Sequence, residues 1–158
     1  MKVVFQFLIA VTAVILMTFL MKSCTTKNAA EAVSGDAAQA TYVAPGKYGE
    51  FYNFVSGGFN GQMGVYGLPS GRLLRIIPVF AQSAESGYGF SENTIPMLNT
   101  SHGFVPWDDL HHTELSQTNG EIDGRWVFGN GNNTPRIARI SLTSFRTDEI
   151  IEIPNSAG

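Results

Sequence analysis

The sequence predicts an all-β fold behind an apolar N-terminal helix, and three observations carry that prediction. Gly is abundant at 17 and charged residues are sparse at 15%, a composition that favours turns and strands over long surface helices. From Pro45 onward, β-branched and apolar runs alternate with turn signals. One such unit also occurs twice: Leu68, Ser70, Arg72, Ile76 and Ile77 match Leu142, Ser144, Arg146, Ile150 and Ile151 at a constant offset of 74 residues. A repeated strand–turn–strand unit is the mark of an array or a β-propeller.

Residues 1–24 are read as a signal peptide or membrane anchor. After Met1-Lys2 a mostly apolar run extends from Val3 to Met21, close to the about 20 residues that span a bilayer and equally suited to an export signal. Cys24 follows in Leu20-Met21-Lys22-Ser23-Cys24, which resembles a lipoprotein cleavage site. Lipoprotein, uncleaved anchor and cleaved signal remain open, and each places the rest of the chain outside the cytoplasm. Residues 25–41, rich in Ala, Thr and Ser and without aromatics, lack the apolar surface to offset their ordering entropy. They are expected to be a flexible linker, with a fraying helix around Ala29–Val33.

Residues 42–158 hold the folded part. Strands are expected at Gln62–Tyr66, Leu73–Phe80, Trp126–Phe128, Arg136–Leu142 and Glu149–Ile153. Leu68-Pro69-Ser70-Gly71, Gly129-Asn130-Gly131-Asn132-Asn133 and Thr143–Thr147 are the turns between them. A four-stranded propeller blade takes about 40–50 residues, so the 74-residue offset contains an insertion, Gln82–Pro106. Two blades cannot close a propeller. The expectation is therefore the N-terminal part of a longer protein, whose isolated piece would leave sheet faces bare.

At the end of the insertion stands Trp107-Asp108-Asp109-Leu110-His111-His112, with two of the three histidines side by side after two carboxylates. Imidazole is the commonest metal ligand among side chains, and a ligating His donates its other N–H to a carboxylate or carbonyl. Neighbouring side chains of a regular strand point to opposite faces, so His111 and His112 cannot both reach one ion from such a strand. Either the backbone bends there or the target is wide.

Other candidates carry less. His102, between Ser101 and Gly103, reads as a loop histidine. Asp108 reads as exposed, and Arg136 and Arg139 as solvated or paired charges rather than a basic patch. Gly129-Asn130-Gly131 is not followed by a helix and so is no phosphate cradle. The net charge of −3 gives no footprint for nucleic acid. A single cysteine excludes an internal disulfide or a Cys-based zinc site within this chain.

Asp109-Leu110-His111-His112, with Leu115-Ser116 and Asp123-Gly124-Arg125, resembles the D-x-H-H segment of the nitrous-oxide reductase family. The resemblance runs from Tyr42 to Gly158 through Glu50-Phe51-Tyr52, Tyr66-Gly67-Leu68-Pro69-Ser70, Pro78-Val79-Phe80, Thr134-Pro135-Arg136-Ile137-Ala138-Arg139 and Glu152-Ile153-Pro154-Asn155. Ser101-His102-Gly103-Phe104-Val105-Pro106-Trp107 resembles the branch exported by the general secretory route.

That resemblance implies a periplasmic copper enzyme of denitrification that reduces N2O to N2. It further implies that this chain forms the first blades of a seven-bladed propeller. His111 and His112 would be two of seven imidazoles on a tetranuclear copper–sulfide cluster, with Asp109 orienting a ring. The rest of such a protein would hold a dicopper centre in a C-terminal cupredoxin domain, and the family binds calcium as well. It would work as a homodimer that takes electrons from a cytochrome or cupredoxin, with membrane contact only through its N-terminus. A non-catalytic, membrane-tethered propeller that binds a ligand or partner is the alternative. A copper-sequestering lipoprotein would need a His- or Met-rich tract, which the five scattered Met and three His do not form.

Overall fold

The computed structural model describes residues 36–155. Cys24, the apolar run and Ala29–Val33 lie outside the described residues. The chain divides into two units between Ala44 and Pro45. In the first, α1 (Asp36–Thr41) is a short helix at the end of the segment expected to be a linker; the Thr41 hydroxyl bonds back to Ala37 O at 3.0 Å. Among the described residues, no helix is long and apolar enough to cross a membrane.

The second unit is antiparallel β throughout. β1 (Phe51–Ser56), β2 (Gln62–Leu68) and β3 (Arg72–Pro78) form one three-stranded sheet. A 3-10 turn at Ile95–Leu98 and the two-residue strands β4 (Asn99–Thr100) and β5 (Gly103–Phe104) lie in the insertion. β6 (Leu110–Thr118), β7 (Glu121–Gly131), β8 (Arg136–Ser141) and β9 (Arg146–Glu152) form a four-stranded meander.

The repeat seen in the sequence is a repeat of the backbone, and it covers three strands. Adding 74 to the pairs Phe54↔Val65 and Met63↔Ile77 gives Phe128↔Arg139 and Ile137↔Ile151, which are also paired. Even the irregularity recurs, between Val65 and Tyr66 in β2 and between Arg139 and Ile140 in β8. β1, β2 and β3 thus correspond to β7, β8 and β9. Among the described residues, only the second sheet has a further edge strand, β6.

The two sheets share one core. Met63, Val65 and Ile77 from the first meet Leu110, Val127, Ala138 and Ile140 from the second, with Phe54 packed against them. Phe145 sets its ring edge-on to Phe54 and Tyr52. The equivalent isoleucines go opposite ways. Ile77 is fully buried whereas Ile151 is 47% exposed, and Ile76 is 44% exposed whereas Ile150 packs against the core. The sheets therefore stack head to tail, the face that one turns inward being equivalent to the face that the other turns outward.

Three expectations need correction. β1 and β6 carried no strand signal, because their polar and aromatic residues do not alternate cleanly. Gly129–Gly131 is the end of β7, not a turn; the reversal comes at 132–135, and both glycines are needed for what packs beside them. Arg136, expected to be solvated or paired, is paired with Asp108 but buried, 1% exposed, because it shares the inward face of β8 with Ala138 and Ile140.

At the β6–β7 hairpin, Asp123 accepts from Arg125 Nη2 at 2.8 Å and from the Ser116 and Thr118 hydroxyls. The Arg125 guanidinium, and then the Ser116 hydroxyl, hold its carboxyl well below the usual range. Arg125 and Arg139 both lie over the Trp126 ring, at 4.6 and 5.4 Å.

Candidate metal centre

The site starts from Asp108, which was expected to be exposed and is instead 0% exposed. Its carboxylate accepts from Asn133 N at 2.9 Å, Asn133 Nδ2 at 3.2 Å, Thr134 N at 3.0 Å, the Thr134 hydroxyl and Asp109 N at 2.7 Å. Arg136 Nη2 approaches it at 3.5 Å, and both side chains are fully buried. Arg136 spends its other donors on Thr134 Oγ1, Val105 O and Trp107 O, at 2.6, 3.0 and 3.0 Å, and lies over the Phe80 ring. Burial pulls the guanidinium below its ordinary value, and Asp108 opposes that. Sequence adjacency could not reveal this cage, since its donors other than Asp109 N come from 25 or more residues away. One signal did exist: the alternation Arg136-Ala138-Ile140 puts the arginine on an apolar face.

The cage fixes where β6 begins. Asp108 N donates to Phe80 O and Leu110 N to Gly58 O, each at 3.1 Å, while Asn132 N donates to Asp109 O at 2.9 Å. Ser56 Oγ bonds to Leu110 O. Two glycines make this approach possible. A Cβ on Gly131 would stand 2.3 Å from Asp108 Oδ2, and one on Gly129 would stand 2.7 Å from Leu110 Cδ1.

Immediately beyond the cage the strand is irregular. Leu110 pairs with Gly131 and Thr113 with Gly129, so His111 and His112 together stand opposite the single residue Asn130. This is a β-bulge, the device that inserts one extra residue and re-aims side chains. Leu110 is in the core and the Thr113 hydroxyl reaches Phe54 O at 3.5 Å, so both turn inward. The two histidines between them are exposed, with ring centroids 4.2 Å apart. Of the two ways open to a neighbouring pair, the backbone takes the bend.

Asp109 is 5% exposed, and its Oδ2 accepts from Asn132 Nδ2 at 3.1 Å. Among the described residues it makes no hydrogen bond to either imidazole. His102 stands apart in the loop, its N–H on the Thr100 hydroxyl at 3.1 Å. Beside the bulge, Trp107 stacks on Phe59 and donates its Nε1–H to Phe59 O at 2.6 Å. Among the described residues, no group of three or more His, Cys, Asp or Glu could hold a metal ion. Two converging imidazoles are borderline-soft nitrogen donors that suit copper, but they make only part of a donor set.

No family model matches the chain. Nitrous-oxide reductase of Pseudomonas fluorescens is 35% identical to it over 130 residues, 82% of this chain and 20% of its own length. That of Stutzerimonas stutzeri is 36% identical over 131 residues, 83% of this chain and 20% of its own. That of Cupriavidus necator is 35% identical over 152 aligned residues, 86% of this chain and 24% of its own. Over that stretch the chain is homologous to nitrous-oxide reductase. It spans between a fifth and a quarter of the length of these relatives.

The cage predicts an asymmetric mutational response. Asp108→Asn should destabilise the fold by about 3–5 kcal/mol, because it leaves a buried guanidinium without its counter-charge. The double substitution Asp108→Asn with Arg136→Met should recover much of that loss. Denaturant titration of the single and double variants measures the difference. A double variant no more stable than Asp108→Asn alone would show that the charge pairing is not what the cage supplies.

Proposed function

We propose that this chain supplies His111 and His112 as copper ligands of a nitrous-oxide reductase, which reduces N2O to N2 in denitrification. One observation carries the reading: the bulge turns both imidazoles to one side, 4.2 Å apart, in a chain homologous to reductases of that name. A copper–sulfide cluster, when bound, supplies the electron-rich site at which the inert N2O is activated. The chain's own part is to aim two imidazoles and hold the strand that carries them. Asp108 and Arg136 pin the start of β6, Leu110 anchors it in the core, and the bulge gives the two rings one direction. Asp109 stays among the residues that could orient a ring. Further ligands, a dicopper centre, calcium, a cytochrome or cupredoxin donor and a homodimer are what the family implies for the complete protein.

The architecture belongs to the same proposal. The two sheets are read as successive blades of a seven-bladed propeller. A head-to-tail stack presents an apolar face at its first end: Phe51, Val55, Leu73 and Ile76 are 66%, 41%, 49% and 44% exposed. Further copies of the unit would cover that face. Residues 1–24 are read as the export signal or anchor of a periplasmic protein.

Three experiments test this reading. In the full-length protein, His111→Ala and His112→Ala should each abolish N2O reduction and lower bound copper while sparing the visible spectrum of the dicopper centre. Loss of a ligand should exceed the about 10–100-fold cost of changes around ligands. Full copper content with normal turnover would sink the ligand assignment. Ile76→Asp should destabilise the complete protein by at least about 2 kcal/mol if another blade covers it; an unchanged unfolding midpoint would mean the face stays open. Labelling with a fatty acid should mark Cys24 and vanish in Cys24→Ser if the chain is a lipoprotein. A mutant retained in the membrane would point to an uncleaved anchor, and a soluble one to a cleaved signal.

A further inference from the structure

We infer that Asn130 is a positioning residue for the histidine pair, its side-chain oxygen accepting the ring N–H of one imidazole when the other ring nitrogen binds metal. The inference rests on the copper-ligand reading above and adds a residue to it.

Asn130 is the one residue of β7 that stands opposite the bulge, bracketed by the pairs Leu110↔Gly131 and Thr113↔Gly129. Along β7 the inward positions are Val127, Gly129 and Gly131, all buried, and the outward ones are Trp126, Phe128 and Asn130, all half-buried. The histidines also point outward, since Leu110 and Thr113 on either side of them point inward. Asn130 therefore shares a face with both rings, in the row that continues through Ile137 to Ile151. Its two neighbours in that row are apolar and offer its amide nothing.

The side-chain oxygen is the decisive atom. Asn130 Oδ1 is buried and has no hydrogen-bond partner, the one such side-chain atom among the described residues. Its amide nitrogen meets Gly131 O at 3.5 Å. Buried polar groups are satisfied almost everywhere in folded proteins, so an unsatisfied one calls for a reason. A ligating imidazole has the matching need, because its second nitrogen carries an N–H that finds an acceptor and so fixes ring orientation. Of the nearby carboxylates, Asp108 is engaged by its cage and Asp109 Oδ2 by Asn132. Asn130 Oδ1 is a buried acceptor with no partner at all.

The test compares Asn130→Leu, which keeps the volume and deletes the acceptor, with Asn130→Asp, which keeps an oxygen there. Both are made in the full-length protein alongside His111→Ala and His112→Ala. Three readouts are taken: denaturant unfolding of copper-free protein, copper retained against a chelator, and the visible spectrum of the loaded site. Asn130→Leu should unfold at the parent's denaturant concentration or above it, since an unused acceptor contributes nothing to the metal-free fold. Its copper retention should fall about 10–100-fold with an altered spectrum, and Asn130→Asp should restore both.

Parental copper retention in Asn130→Leu would overturn the inference, as would a destabilised metal-free fold that Asn130→Asp does not rescue. A bound water filling the need of Oδ1 would give the first of those results. The histidine variants separate the two levels. If they lose copper while Asn130→Leu keeps it, only this inference falls; if they keep copper, the ligand reading falls and takes this one with it.

Discussion

A carboxylate and a guanidinium that no water reaches, Asp108 and Arg136, hold this structure in register. Removing two such charges from water costs more than their mutual attraction returns, unless the remaining donors and acceptors are met as well. Here they are met, and by partners far apart in sequence. Arg136 reaches back to Val105 and Trp107, while Asp108 takes the amides of Asn133 and Thr134. The end of the long insertion, the start of β6 and the β7–β8 turn are consequently tied together. A strand that enters from a loop of some 25 residues would otherwise have many registers open to it, and a one-residue slip would turn every side chain to the other face.

The bulge has meaning only because register is fixed on both sides of it. Leu110 is buried before it and Thr113 turns inward after it, so the extra residue between them cannot relax by sliding. Two neighbouring imidazoles are thereby committed to the same side. The opposite strand contributes an absence of atoms: Gly129 and Gly131 leave room for the Leu110 side chain and the Asp108 carboxylate. Asn130, between those glycines, is the residue of β7 directly opposite the pair.

Those glycines also explain what the sequence did and did not disclose. Gly-Asn-Gly followed by Asn-Asn reads as a turn, because glycine and asparagine are the commonest turn residues. In the fold the same glycines are strand residues chosen for lack of bulk, which a local pattern cannot distinguish. The repeat was legible, and so were five strands of apolar and β-branched residues bounded by turns, since those signals are local. β1 and β6 were not legible, because their pairing and burial are set by partners in other strands. The histidine pair stood out by itself, together with the need for a bend. The cage did not, since Asp108 looks like any loop aspartate until residues 133–136 are brought against it. The burial of Arg136 was recoverable, because its two-residue spacing to Ala138 and Ile140 already placed it inward.

The repeat separates what is generic in this chain from what is specific. β1–β3 and β7–β9 share sequence, register and irregularity, yet adjacent isoleucines exchange roles between them: Ile77 fills the core while Ile151 is exposed, and Ile150 packs inward while Ile76 does not. Having an isoleucine at both positions lets one unit present an apolar side on either face. A stack of such units needs this, and a lone two-faced sheet would not. A head-to-tail contact of that kind either closes into a ring or continues. The histidines belong to neither copy of the repeated part. They sit on β6, the edge strand that, among the described residues, only the second sheet has, and shifting back by 74 residues lands on Ala37 and Ala38 in α1. The three common strands are scaffold; the proposed metal chemistry rests on the further strand of the second sheet.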